Sequence, residues 1–196
     1  MSDPAPAIVR RFGLLRHGEA AGRAGLPDAE RPLTDAGRRD AARVGAAAAD
    51  RRLLPDYVVT SPATRARQTW SAYARGLGGA LDPAVSANSV SIDARIYANH
   101  LDGLLGVVRE TPDDYASLLL VGHNPGLAEL AALFADVEPT SAAAGLQPSP
   151  AAVAAWHRLG GAYPTSTVAV FVTAAPWEEV RPGTAVLSAL LGPDLP

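Results

Sequence analysis

Two histidines stand in short strings that each follow an apolar run, Leu15-Arg16-His17-Gly18-Glu19 and Val121-Gly122-His123-Asn124-Pro125. Between them lies Thr60-Ser61-Pro62-Ala63-Thr64-Arg65-Ala66-Arg67-Gln68-Thr69, which also follows an apolar run. Three chemically loaded turns at the ends of three expected strands point to one composite site. A neutral imidazole nitrogen is a good nucleophile near pH 7, and the phosphohistidine it forms is labile to water. A phosphoryl group in transfer spreads charge over three equatorial oxygens, so its catalyst needs fixed cations. Arg16 and Arg65 are permanently charged forks that match phosphate geometry. His123, backed by the start of a helix, is placed to donate to a third oxygen.

The same residues admit other readings. His17, Glu19 and His123 could ligate a metal, although the neighbouring arginines would repel a divalent cation and no acidic cluster of two-metal type is evident. A non-catalytic module that binds a phosphorylated ligand would need the pocket but not the turnover. Composition narrows the field further. The chain has no cysteine, which removes disulfides, cysteine metal sites and thiolate nucleophiles. It has no lysine either, since all 17 basic residues are arginine, so neither a P-loop lysine nor a Schiff base is available. With 48% hydrophobic and 19% charged residues it is globular in balance, and its net charge of −3 gives no support for nucleic-acid binding. Neither a signal peptide nor an apolar stretch long enough to cross a bilayer is visible, so a cytoplasmic protein with no membrane partner is expected.

The elements that must position these residues follow from local signals. Length fits one α/β domain over residues 1–196, with Met1–Ile8 frayed and the Ala/Pro/Ser-rich span 136–165 an irregular excursion interrupted by a helix near Pro150–Leu159. Strands are expected at Val9–Leu15, Tyr57–Thr60, Ser117–Val121, Thr167–Thr173 and near Thr184–Ser188, with a short extended piece at Val90–Asp93. Thr34-Asp35 starts a helix that runs to about Arg52, with a hydroxyl cap and a carboxylate in the first turn. Ser61-Pro62 reads as a second cap with proline at the first helical position, and Asn124-Pro125 repeats the device. A further helix spans about Leu101–Glu110. Alternating strands and helices imply a mostly parallel sheet covered on both faces, a three-layer α/β/α sandwich. Ligands of such sheets bind beyond the carboxyl ends of the strands, where all three motifs fall.

Arg16-His17-Gly18 after a strand, Arg31-Pro32-Leu33-Thr34 with Gly37, Ser61-Pro62 with Arg65-Ala66 and Gln68-Thr69, and Gly122-His123-Asn124-Pro125 together resemble the histidine phosphatase superfamily, which has the phosphoglycerate mutase-like fold. The similarity spans most of residues 10–190 and is greatest to the short SixA-like branch, whose members act on phosphohistidine in signalling proteins. The resemblance implies a phosphohydrolase that needs no metal or other cofactor. In it His17 is phosphorylated, while Arg16, Arg65 and His123 form the phosphate pocket. The partner would be a phosphorylated protein or a small phosphorylated metabolite.

Mutase and phosphomonoesterase members carry a carboxylic acid in the stretch that corresponds to about Ile92–Leu101, and Ala98 falls near its expected position. Asp93 and Glu19 are the substitutes to weigh. An alkoxide leaving group needs a proton, whereas the imidazole of a phosphohistidine leaves far more readily. The missing acid is therefore expected to tilt the enzyme toward phosphoramidates. A small-metabolite phosphomonoesterase or a phosphoglycerate mutase-like enzyme, with Asp93 or Glu19 as the acid, is the alternative. His100, His157 and Arg67 read as surface residues, and Trp70 and Tyr73 as core.

Overall fold

The computed structural model describes residues 8–23, 25–82, 85, 89–140, 143 and 145–195. Six strands form one sheet: β1 (Arg10–Arg16), β2 (Tyr57–Thr60), β3 (Val90–Ile92), β4 (Ser117–Gly122), β5 (Val168–Thr173) and β6 (Ala185–Leu191), in the order β3-β2-β4-β1-β5-β6. Among the described residues six helices accompany them: α1 (Asp35–Asp50), α2 (Thr64–Leu77), α3 (Ala94–Ala98), α4 (Leu101–Arg109), α5 (Gly126–Ala135) and α6 (Pro150–Leu159). Successive strand side chains point to opposite faces, so each central strand feeds two cores. Phe12, Leu14, Leu118, Leu120 and Phe171 pack with Leu104, Val108, Leu127, Leu130, Phe134 and Trp177 on one side. Leu15, Val58, Leu119, Val121 and Val170 pack with Val44, Ala48, Trp70, Tyr73 and Leu77 on the other. The three layers are therefore α1 and α2, the sheet, and α4 with α5 and α6. Among the described residues no helix is long and apolar enough to cross a membrane.

β1 to β4 are mutually parallel, as the alternation of elements implies. β5 is the exception and runs antiparallel to β1, pairing Leu15 with Val168. After α5 and α6 the chain re-enters the sheet at Val168, beside Leu15, and so from the carboxyl ends of β1 and β4. That reversal delivers residues 160–167 to the end of the sheet that carries the motifs.

Thr34 caps α1 as its position predicts, its hydroxyl accepting from Gly37 N at 3.0 Å. The other two expected caps differ. α2 starts at Thr64 with Ala63 at its cap position, and Ser61 Oγ instead accepts from Ala63 N at 3.2 Å. α5 starts at Gly126, and the Asn124 side chain donates to Tyr163 O at 3.0 Å rather than capping the helix. In both turns the polar side chain is drawn away by a tertiary partner that local sequence does not reveal. Neither α3 nor a 3₁₀ turn at Asp28–Glu30 was expected. The frayed terminus expected at Met1–Ile8 lies, but for Ile8, outside the described residues; Ile8 is exposed.

Candidate active site

β1 ends in Arg16, and the chain then turns sharply through His17-Gly18-Glu19. The turn is fixed from two sides. His17 N donates to Gly122 O of β4 at 2.9 Å, and Gly18 N donates to Thr69 Oγ1 of α2 at 2.9 Å. The turn also lies hard against the start of α1: a Cβ on Gly37 would sit 2.3 Å from Glu19 O, and one on Gly18 2.7 Å from Gly37 O. Only glycine permits that approach.

His17 Nδ1 lies 2.7 Å from Gly18 O. A carbonyl can only accept, so Nδ1 carries the proton and Nε2 holds the free lone pair. Burial lowers the ring's pKa to about 4; the Gly18 carbonyl pulls it up, and the positive charges of Arg65, Arg16 and Arg31 push it further down. At neutral pH His17 is thus an uncharged imidazole in a fixed tautomer.

Arg65 projects from the first turn of α2 and is buried. Its Nε donates to His17 Nε2 at 3.3 Å. The other edge of its fork is held by Asp28, with Nη1 on the Asp28 carbonyl at 2.6 Å and Nη2 on Oδ2 at 2.9 Å. Asp28 also accepts from Arg31 Nη1 at 3.1 Å and from the Tyr97 hydroxyl at 3.0 Å. These bonds, led by that from Arg65, hold its carboxyl far below the usual carboxylate range.

His123 follows β4, buried, with its ring centre 5.0 Å from that of His17. Its Nε2 lies 2.8 Å from Ser61 Oγ, while Nδ1 is buried with no partner among the described residues. Burial, followed by the charges of His17 and Arg65, lowers its pKa to about 3, against a small upward pull from Asp28. Arg16 donates through Nη1 to Tyr163 O at 2.5 Å, and its buried Nε has no partner among the described residues. Its charge is close enough to lower both histidines. The Tyr163 hydroxyl in turn donates to Leu14 O at 2.5 Å and accepts from Ala169 N at 2.9 Å, pinning this loop to the sheet. Ser166, buried with φ of 59°, directs its N–H toward the Arg16 and His17 carbonyls at 3.2 and 3.3 Å.

The structure thus gathers His17, Arg16, Arg65 and His123 around one pocket and, among the described residues, leaves Arg16 Nε and His123 Nδ1 without partners, while Arg65 Nε is held by the 3.3 Å contact to His17 Nε2. Buried donors without partners are costly unless a ligand or water completes them. Among the described residues no cluster of three or more histidine, aspartate or glutamate side chains could hold a metal ion.

The two proposed acids are placed differently. Asp93 caps α3, accepting from Arg95 N at 2.8 Å and pairing with Arg95 Nη2 at 2.7 Å, and Arg95 holds its pKa low. A carboxylate held in that state is a poor proton donor. Glu19 has an exposed side chain, and its backbone carbonyl receives Thr34 N. Ala98 is exposed. His100, His157 and Arg67 are exposed, and Trp70 and Tyr73 are buried, as their spacing suggested.

Sequence reasoning missed Asp28, Tyr97 and Tyr163. Asp28 had a readable signal, an acidic residue three positions before Arg31 in a loop of glycine and proline. Tyr97 and Tyr163 had none, because their roles come from tertiary contacts alone.

Comparison with known proteins agrees with this geometry. A family model described as the histidine phosphatase superfamily (branch 1) matches residues 12–88. The Mycobacterium tuberculosis protein Rv1276c is 31% identical over 178 residues, covering 88% of this chain and 96% of its own. Among solved structures, one from Nakamurella multipartitia, assigned as phosphohistidine phosphatase SixA, is 28% identical, with a TM-score of 0.71 and 98% and 99% of the two chains covered. The Agrobacterium tumefaciens protein with the same assignment is 26% identical, with a TM-score of 0.67 over 93% and 97%.

Proposed function

The chain belongs to the histidine phosphatase superfamily, in its SixA-like branch, and is a phosphohydrolase; from that premise we propose that it removes phosphate from phosphohistidine through a phosphorylated His17. The observation that carries the reading is the His17 tautomer. With Nδ1–H bound to the Gly18 carbonyl, the lone pair on Nε2 faces Arg65 and lies beside His123.

Nε2 attacks phosphorus in line as the bond from phosphorus to the leaving nitrogen breaks. Arg16, Arg65 and His123 take up the charge on the equatorial oxygens. The departing imidazole acquires its proton from solvent. The Nδ1–H bond to Gly18 survives phosphorylation, so the ring stays aligned while water attacks phosphorus, the bond to Nε2 breaks and inorganic phosphate departs. No metal takes part in this scheme. The ion pair that Asp93 makes with Arg95 supports substrates whose leaving group needs little help from an acid. The two SixA assignments among the relatives support the same choice.

The test is a labelled phosphohistidine peptide run beside a panel of metabolite esters. We expect release of phosphate from the peptide, an acid-labile label on His17 when the reaction is quenched in base, and neither with His17→Ala. Turnover that survives His17→Ala would remove the nucleophile from the account. Esters hydrolysed as fast as the peptide would instead identify a small-metabolite phosphomonoesterase.

A further inference from the structure

Five side chains close a ring around the pocket. His17 Nε2 meets Arg65 Nε at 3.3 Å, Arg65 Nη2 meets Asp28 at 2.9 Å, and Asp28 accepts from the Tyr97 hydroxyl at 3.0 Å. The Tyr97 ring then meets His123 edge-on, with centres 5.6 Å apart and planes at 87°, and His123 returns to His17 at 5.0 Å. Arg65 and His123 are the neighbours of His17 in this ring, so Asp28 and Tyr97 stand across the pocket from it.

In-line displacement puts the leaving group opposite the attacking nitrogen. That is the side where Asp28 and Tyr97 stand. The Asp28 carboxylate is already engaged by Arg65, Arg31 and Tyr97 and is held ionised. Tyr97 is therefore the group with surface to offer, since the residue is 37% exposed although its hydroxyl is bonded and its ring meets His123.

The short helix α3 keeps that surface in place. Asp93 caps its start, Arg95 reaches across to Glu110 at 2.6 Å, Ile96 is fully buried, and Asn99 ends it in the left-handed conformation. With Ile96 anchored inward, Tyr97 is turned to the mouth of the site.

We propose that Tyr97 determines leaving-group specificity, its ring forming a wall on which a planar leaving group such as imidazole stacks. The inference rests on His17 being the phosphoryl acceptor. It assigns the selection of substrate to an aromatic surface next to Ala98, where an acid is missing. Tyr97 transfers no proton: its hydroxyl is committed to Asp28, while the ring itself is held edge-on against His123.

Two pairs of substrates test it, each matched in bond type but differing in the shape of the leaving group: N-phosphoimidazole with phosphoramidate, and 4-nitrophenyl phosphate with glycerol 2-phosphate. Tyr97→Leu is expected to lower kcat/KM for the planar member of each pair by about two- to tenfold relative to its partner, the range of aromatic pairing energies. Tyr97→Phe should retain the preference, because it keeps the ring. A uniform loss on all four substrates with Tyr97→Leu would overturn the inference and leave Tyr97 as packing for His123. Loss of the preference in Tyr97→Phe would overturn it too, by moving the effect to the hydroxyl. An enzyme inert toward N-phosphoimidazole but active on the nitrophenyl ester would defeat the phosphohistidine reading, while the ester pair still decides the role of Tyr97.

Discussion

Asp28 places a negative charge inside a cage built to hold an anion. Its two contacts with Arg65 fix the guanidinium plane, and they also draw part of its attraction away from an incoming phosphate. Removing the charge should therefore separate binding from turnover. We expect Asp28→Asn to bind inorganic phosphate more tightly, seen as a lower inhibition constant, and to lower kcat by about ten- to a hundredfold because the fork keeps the backbone carbonyl but loses its ionic partner. Unchanged values for both would show that the ion pair is incidental. His17 and His123 were legible from the sequence because a glycine-flanked histidine after an apolar run has few structural duties. Asp28 was legible only as a carboxylate three positions before Arg31; its hold on Arg65, 37 positions away, was not. The Asp93 carboxylate looked available in sequence for a related reason, since nothing there reveals that Arg95 will close on it.

At the level of elements, strand ends deliver the reactive groups and helix starts hold them steady. The strand and helix pattern was readable because the apolar runs are buried on both faces. The boundaries at Ser61-Pro62 and Asn124-Pro125 were not, since the hydroxyl and the amide are spent on His123 and on Tyr163. The reversed β5 was equally hidden, because a strand's direction is set by the end of the sheet at which the chain re-enters and not by the strand's own residues. The contact between Gly37 of α1 and the Glu19 backbone shows how directly a helix can set the nucleophile. Gly37→Val should push that turn outward and depress activity far more than it depresses the melting temperature, and paired thermal and kinetic measurements decide it. A loss of stability in proportion to the loss of activity would mean that the helix itself had failed.

For the molecule as a whole, two neutral buried imidazoles tie stability to pH. Both have folded pKa values below the ordinary 6.5, about 4 for His17 and about 3 for His123. Below pH 6.5 the unfolded chain therefore takes up protons that the folded one refuses, and unfolding becomes easier as acid is added. Each ring contributes a slope of at most about 1.4 kcal/mol per pH unit, fading near pH 4 for His17 and lower for His123, and absent above pH 6.5. Denaturant titrations should show His123→Ala with a shallower decline between pH 6.5 and 4 than the parent protein; an identical decline would place the sensitivity elsewhere. Tyr163 carries a different consequence. Its hydroxyl bridges Leu14 and Ala169, and its carbonyl steadies Arg16, so one of the four pocket groups depends on a residue 147 positions further along. A polypeptide leaving the ribosome thus displays its nucleophile well before its cage can be finished, which waits for Tyr163 to emerge and β5 to dock.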